Sequence, residues 1–242
     1  MTSTIDNKEI EKFEKMAQEW WNPHGKFKPL HKFNPIRINF IRQKICQFYD
    51  FDEKSLKPFE KISILDIGCG GGLVAEPFCK MGGEITAIDA SQINIEIAKI
   101  HAQKSKLPIN YLATTAENLA NENKKFDVIL ALEVIEHVSD IELFLKSCSN
   151  LVKPNGIIFI ATINRTLKSL ALAKFAVEYV LRWLPIGTHE YQKFVKPSQI
   201  LTIANKYNLK LTELSGFSYN LIKDNWKETR DVDVNYIAIL QK

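Results

Sequence analysis

Cysteine is scarce in this 242-residue chain, and the four present, Cys46, Cys69, Cys79 and Cys148, form no CxxC pair and no metal-ligand spacing. A disulfide framework and a cysteine metal cluster are therefore excluded, and the pattern fits reduced thiols in a reducing compartment. An apolar run of the roughly 20 residues that a bilayer span needs is missing as well. The opening MTSTIDNKEIEKFEKMAQEW alternates acid and base, without an apolar core or an Arg-rich, acid-free stretch, so neither a signal nor a transit peptide is expected. There is no internal repeat and no low-complexity linker. Neither sign of charge dominates: 32 Lys and Arg face 28 Asp and Glu, for a net charge of +4. That balance tolerates an anionic partner without requiring one, and with no basic-aromatic run it argues against nucleic acid. What remains, 45% hydrophobic and 25% charged residues, is enough for one sizeable core.

The periodicity changes once along the chain. Ile10, Phe13 and Ala17 share one helical face between Asn7 and Glu19, and Ile38, Ile41 and Ile45 do so between Arg37 and Tyr49. Between them Asn22-Pro23 and Lys28-Pro29 are expected to break the helix, since proline lacks a donor and restricts its predecessor. From Ile62 short apolar runs take over: ISILDIG, EITAIDAS, INYLATT, KFDVILAL and GIIFIATIN, separated by helix-length segments at 73–81, 94–106 and 141–151. Strands alternating with helices predict a parallel sheet covered on both faces. LKLTELSGF and VDVNYIAILQ, with no helix between them, predict an antiparallel pair at the end. The expected fold is therefore α/β, a Rossmann-like, seven-stranded, mostly parallel sheet. An N-terminal helical cap (1–60) precedes a cofactor-binding core (61–163). A helical insertion after strand five (164–190) and a C-terminal helix with antiparallel strands (191–242) complete one domain.

LDIGCGGG sets Gly68, Gly70 and Gly72 between the first strand and a helix, where backbone can approach a ligand closely. Asp89 ends the second strand roughly 20 residues on, placed to accept from ribose hydroxyls. A dinucleotide site is the first reading, but the third glycine of G-x-G-x-x-G is replaced by Leu73. Asp66, just ahead of the loop, is also a poor neighbour for pyrophosphate and a good one for a cationic, zwitterionic ligand such as S-adenosylmethionine.

Taken in order and spacing, ILDIGCGGG, AIDAS, TAENL and FDVILALEVIEHV resemble the motifs of class I S-adenosylmethionine-dependent methyltransferases. The resemblance implies that Gly68 and Gly70 line the cofactor's amino acid end and that Asp89 holds the ribose. It puts Ala116 and Glu117 beside the adenine and Leu132 against the cofactor. EWWNPHGKFKPLHKFNPIRINFI, the segment INRTLKSLALAKFAVEYVLRWLPIGTHEYQKFVKP and the closing DVDVNYI are similar to the ubiquinone-biosynthesis O-methyltransferases, which methylate a polyprenylated catechol and demethylubiquinol. By this resemblance Arg37 meets the cofactor's carboxylate, the protein is cytoplasmic and peripheral to the inner face of the membrane, and other ubiquinone-biosynthesis proteins are partners. The prolines of KPLHKFNP stiffen a wall over the cofactor site, with Trp20, Trp21 and Phe27 as packing.

If LEVIEHV is helical, Glu133 faces both Glu136 and His137. Two carboxylates and an imidazole suit a divalent ion, and the family resemblance implies Mg²⁺ at this set. A phenol with an ordinary pKa near 10 needs a base or a metal before it attacks a sulfonium methyl. Three readings stay open: metal ligation by all three, His137 as a metal-free general base, and a structural role; His137 and Glu133 are the catalytic candidates. His24, His31 and His189 are secondary candidates to face substrate. TLKSLALAKFAVEYVLRWLPIG is apolar around most of a helix except for Lys174, Glu178 and Arg182, and reads either as an interfacial membrane helix over 165–187 or as a lid. The rival functions are a methyltransferase for another small phenol or quinone and a non-catalytic cofactor-binding subunit.

Overall fold

The computed structural model describes residues 3–172, 190–220 and 223–242. Along the chain come α1 (Asn7–Glu14) and α2 (Lys28–Tyr49), then β1 (Ser63–Ile67), α3 (Ala75–Lys80), β2 (Glu84–Asp89), α4 (Gln92–Lys104) and β3 (Asn110–Ala113). They are followed by α5 (Ala116–Ala120), β4 (Phe126–Leu132), α6 (Ile141–Leu151), β5 (Val152–Ile163), the short α7 (Leu167–Ser169), α8 (Pro197–Lys206), β6 (Lys210–Asn220), β7 (Asn225–Thr229) and β8 (Asn235–Gln241). The strands lie in the order β3-β2-β1-β4-β5-β8-β6-β7. Those from β3 to β5 pair in parallel, and β8, β6 and β7 are added antiparallel. The chain reverses its direction of winding between β1 and β4, the switch point where ligands bind in such sheets.

Alternation along each strand builds two cores. Ile64, Val128, Leu130 and Phe159 face α2, α3 and α4. Leu65, Ile67, Ile129 and Ile160 face the opposite side with Phe144, Leu145 and Ile200. Asp66 stands two residues after Ile64 and so points to the α2 side, within electrostatic reach of Arg37 on that helix.

Three expectations about the elements need correction. Among the described residues the sheet has eight strands, not seven: NWKET forms β7, an edge strand paired with β6 alone and mostly exposed, so it carries no burial alternation to betray it. And α2 begins at Lys28, nine residues before Arg37, because Pro29 sits in its first turn, where the missing donor is not needed. The helix then runs through Pro35, held by the burial of Phe33, Arg37, Phe40 and Ile41. The first helix ends at Glu14 and a 3₁₀ turn, Ala17–Glu19, follows. Of the expected insertion helix only the start is described, with the Thr166 hydroxyl accepting from the Ser169 backbone at 3.0 Å. Residues 173–189, His189 among them, lie outside the described residues.

Candidate active site

One cavity of about 430 Å³ opens at the carboxyl ends of β1, β2 and β4, within the roughly 300–1,000 Å³ of small-molecule sites. Arg37, Asp66, Gly68, Gly70, Asp89, Ala116, Leu132, Glu133, Glu136 and His137 all line it. Glu117 does not: its carboxylate accepts from the backbone and hydroxyl of Thr4, each at 2.8 Å, and so pins the N-terminal segment instead.

The glycine loop is built for close approach. Gly68 and Gly70 have φ of +70° and +52°, the left-handed region that glycine enters without steric penalty. A Cβ on Gly68 would stand 2.7 Å from Val134, and one on Gly70 would stand 2.4 Å from the Trp20 ring. Trp20 stacks on Phe27 at 3.7 Å and donates to Asn94 Oδ1 at 2.9 Å, while Trp21 donates to the Gly71 carbonyl at 2.9 Å. The paired tryptophans thus clamp the outside of the loop. His31 Nε2 donates to the Trp20 carbonyl at 2.9 Å, and His24 is exposed; neither lines the cavity.

Asp89 Oδ2 accepts from Gly70 N at 2.9 Å, and its Oδ1 accepts from Ser91 N and Asn94 Nδ2. A carboxylate has about four acceptor sites, so one on Oδ2 is left for a hydroxyl donor. Asp66 is 3% exposed, and its Oδ2 has no hydrogen-bond partner among the described residues. Burial pushes its carboxyl up to about 7, against the pull of Arg37. Arg37, equally buried, is fixed by Asn34, which accepts from Nε at 2.8 Å, and its Nη1 lies 3.4 Å from Glu133. A buried cation beside a buried, unsatisfied carboxylate is a receptor for a zwitterion. The donor set fits the cofactor expected from the sequence: Arg37 would take its carboxylate, Asp66 its ammonium and Asp89 its ribose.

The second half of the site departs from the expected helix. Glu133 has φ of +56°, the left-handed region that a side chain enters at some cost, and its N–H donates to the Ala161 carbonyl at 2.9 Å. A 3₁₀ turn, Ile135–His137, follows. Strand four therefore ends in a sharp reversal, and helical spacing is not what gathers these residues. Burial and the neighbouring Glu136 raise the Glu133 carboxyl above its ordinary value, against Arg37 and His137. Glu136 is turned into the protein, where it accepts from Thr162 Oγ1 at 2.8 Å. His137 keeps a fifth of its side chain open, with Nδ1 2.8 Å from Glu9 Oε2. Crowded carboxylates are chemically suited to a divalent ion. As they stand, however, no three His, Cys, Asp or Glu side chains among the described residues are gathered to ligate one.

Part of the cavity lining is aromatic and apolar, with Leu30, Phe33, Phe217, Tyr219 and Trp226, and Phe33 lies 5.2 Å from the Arg37 guanidinium. Sequence reading did not find Glu9, Asn34 or Thr162: each acts through a partner distant in the chain or on another turn, and nothing in its neighbourhood signals it.

A family model described as a methyltransferase domain matches residues 65–160. The ubiquinone biosynthesis O-methyltransferase of Pelagibacter ubique is 54% identical, over 98% of this chain and 98% of that protein. The protein of the same name from Bartonella bacilliformis is 50% identical over 99% and 97%. Among solved structures, the magnesium protoporphyrin IX methyltransferase of Synechocystis PCC 6803 with bound SAH aligns with a TM-score of 0.68 and 15% identity over 98% of this chain and 100% of that one, a likeness of fold. Half the residues shared over almost the whole length is a stronger tie than any fold likeness: the chain belongs to the ubiquinone biosynthesis O-methyltransferase family.

Proposed function

We propose that this protein transfers a methyl group from S-adenosylmethionine to ring hydroxyls of a polyprenylated catechol (2-polyprenyl-6-hydroxyphenol) and of 3-demethylubiquinol. The observation that carries the reading is a cavity with Arg37, Asp66, Asp89 and the partly open side chains of Glu133 and His137 on its wall, together with an aromatic, apolar lining. Bound cofactor supplies an electrophilic methyl on a sulfonium. Arg37 and Asp66 hold its amino acid end, Gly68 and Gly70 let it approach backbone, Asp89 takes the ribose, and Ala116 and Leu132 wall the site, with Glu117 beyond. The phenol oxygen attacks in line, an O–C bond forms as the C–S bond breaks, and the hydroxyl proton leaves to a base. Neutralising the sulfonium balances the charge.

In the metal-dependent form Glu133, Glu136 and His137 would hold Mg²⁺, which would lower the pKa of a chelating ring hydroxyl. A metal-free alternative, with His137 as general base and Glu133 beside it, is favoured by one observation: Glu136 and His137 are already committed to Thr162 and Glu9.

The reading extends to location. No helix of the described residues is long and apolar enough to cross a membrane. Leu167 is 80% exposed and Leu172 45%, and Leu172 and Lys168 also line the cavity mouth. An apolar edge at that mouth suits a membrane surface from which a prenyl tail enters. Other ubiquinone-biosynthesis proteins are part of the same proposal.

Methyl transfer from labelled S-adenosylmethionine to a short-tailed polyprenyl catechol tests it, run with Mg²⁺ and with EDTA. Transfer lost on chelation and restored by Mg²⁺ supports the substrate class and the three-residue set. Transfer indifferent to EDTA assigns the proton to His137. No transfer while the cofactor still binds overturns the acceptor.

A further inference from the structure

α1 brings Glu9 and Phe13, four residues apart and on one helical face, against a single side chain of the site. Glu9 Oε2 is 2.8 Å from His137 Nδ1, and the Phe13 ring meets the imidazole edge-on at 5.1 Å and 85°. Glu9 is 4% exposed, unusual for a carboxylate on a terminal helix. Its other oxygen, Oε1, takes Lys12 Nζ at 2.7 Å and Lys193 Nζ at 2.8 Å. Lys193 also reaches Asp6, the N-cap of α1, at 3.1 Å, and Lys12 reaches Glu190 at 3.1 Å. The helix is moored further by Thr4, whose carbonyl accepts from Ser139 N two residues after the imidazole.

Two ammonium groups, Lys12 and Lys193, pair with Oε1, so Glu9 meets the imidazole as a carboxylate. An ionised carboxylate only accepts, so Nδ1 must carry a proton and donate it. That leaves Nε2 as the ring nitrogen available to the cavity that His137 lines.

We propose that Glu9 is a positioning residue for His137: a carboxylate carried by the N-terminal helix that fixes the imidazole's rotamer and hydrogen-bonding face, so that Nε2 is presented to the acceptor substrate. The cap is then a component of the acceptor half of the site as well as a cover, and Glu9, with Lys12 and Lys193 on its other oxygen, contributes to turnover through the imidazole. The inference rests on the reading of His137 as a group that meets substrate.

The test is a double-mutant cycle in the full chain: Glu9→Ala and His137→Ala, alone and together, with Glu9→Gln as the near-isosteric control. Turnover, cofactor affinity by calorimetry and melting temperature are read on each. Glu9→Ala is expected to lower kcat roughly 10–100-fold, the scale of losing an orienting partner, with cofactor affinity unchanged. Glu9→Gln, whose amide oxygen still accepts from Nδ1, should recover most of that loss. In the His137→Ala background, Glu9→Ala should lower kcat no further. An equal kcat loss in both backgrounds would overturn the proposal, since Glu9 would then act through the packing of the cap. So would a Gln variant as slow as Ala. Undiminished turnover in His137→Ala alone would instead remove the underlying reading of His137, an outcome that the single variant identifies by itself.

Discussion

Asp66 shows how one buried group ties binding to folding. Below about pH 4 it is protonated in folded and unfolded chains alike and has no effect on stability. As pH rises toward about 7, the unfolded chain releases this proton while the folded, cofactor-free chain keeps it. Across that window the group therefore makes the folded state progressively less stable, and above it the penalty is constant. Asp66→Asn removes the titration. Urea denaturation without cofactor should find the variant gaining on the wild type between pH 5 and pH 8, by on the order of 2–4 kcal/mol. The same variant should bind S-adenosylmethionine more weakly, because a neutral amide is a poor partner for an ammonium. A stability difference independent of pH would mean that Asp66 is already ionised beside Arg37.

At the scale of elements, the N-terminal segment and the glycine loop act as one unit, because Trp20 occupies the volume that any side chain at Gly70 would need. Gly70→Ala meets two obstacles, the indole and a φ of +52°, and the second alone is worth about 1–2 kcal/mol. Melting curves and cofactor titration should both worsen in Gly70→Ala. Adding Trp20→Ala should relieve the contact and leave the backbone term, so the pair should fall short of additive loss. Strict additivity would show that the indole and the loop are independent. This junction also marks how far the sequence could be read. The strands from ISILDIG to GIIFIATIN and the loop after the first of them were legible because burial on both faces writes continuous apolar runs. The Arg37 position was legible through resemblance alone, and the start of its helix was misplaced because Pro29 reads as a breaker before its place in a first turn is known. The sharp turn at Glu133 was hidden because its left-handed backbone is set by the pairing of Glu133 N with Ala161, a contact between strands rather than between neighbours. Glu9 was illegible for the same reason, with its partner 128 residues away.

For the molecule as a whole, the proposed membrane association raises the question of which surface would face lipid. The net charge of +4 is modest, so attraction to anionic headgroups should be weak and salt-sensitive. Apolar contact must do the rest, and the described start of the insertion offers Leu167, 80% exposed and outside the cavity lining. Flotation with anionic vesicles should carry the wild type upward, and Leu167→Glu should reduce that binding while turnover on a short-tailed acceptor in solution persists. Flotation unchanged by Leu167→Glu would move the contact to another face. Function also leaves a mark on how such a molecule responds to selection. Position 133 holds a carboxylate, partly buried and beside another acid, on a backbone conformation that glycine would adopt without strain. A laboratory search that rewards thermal tolerance alone would therefore drift toward glycine there, and on the proposed role of Glu133 it would enrich sturdier chains with less activity. Any campaign to toughen this enzyme has to screen for turnover in every round.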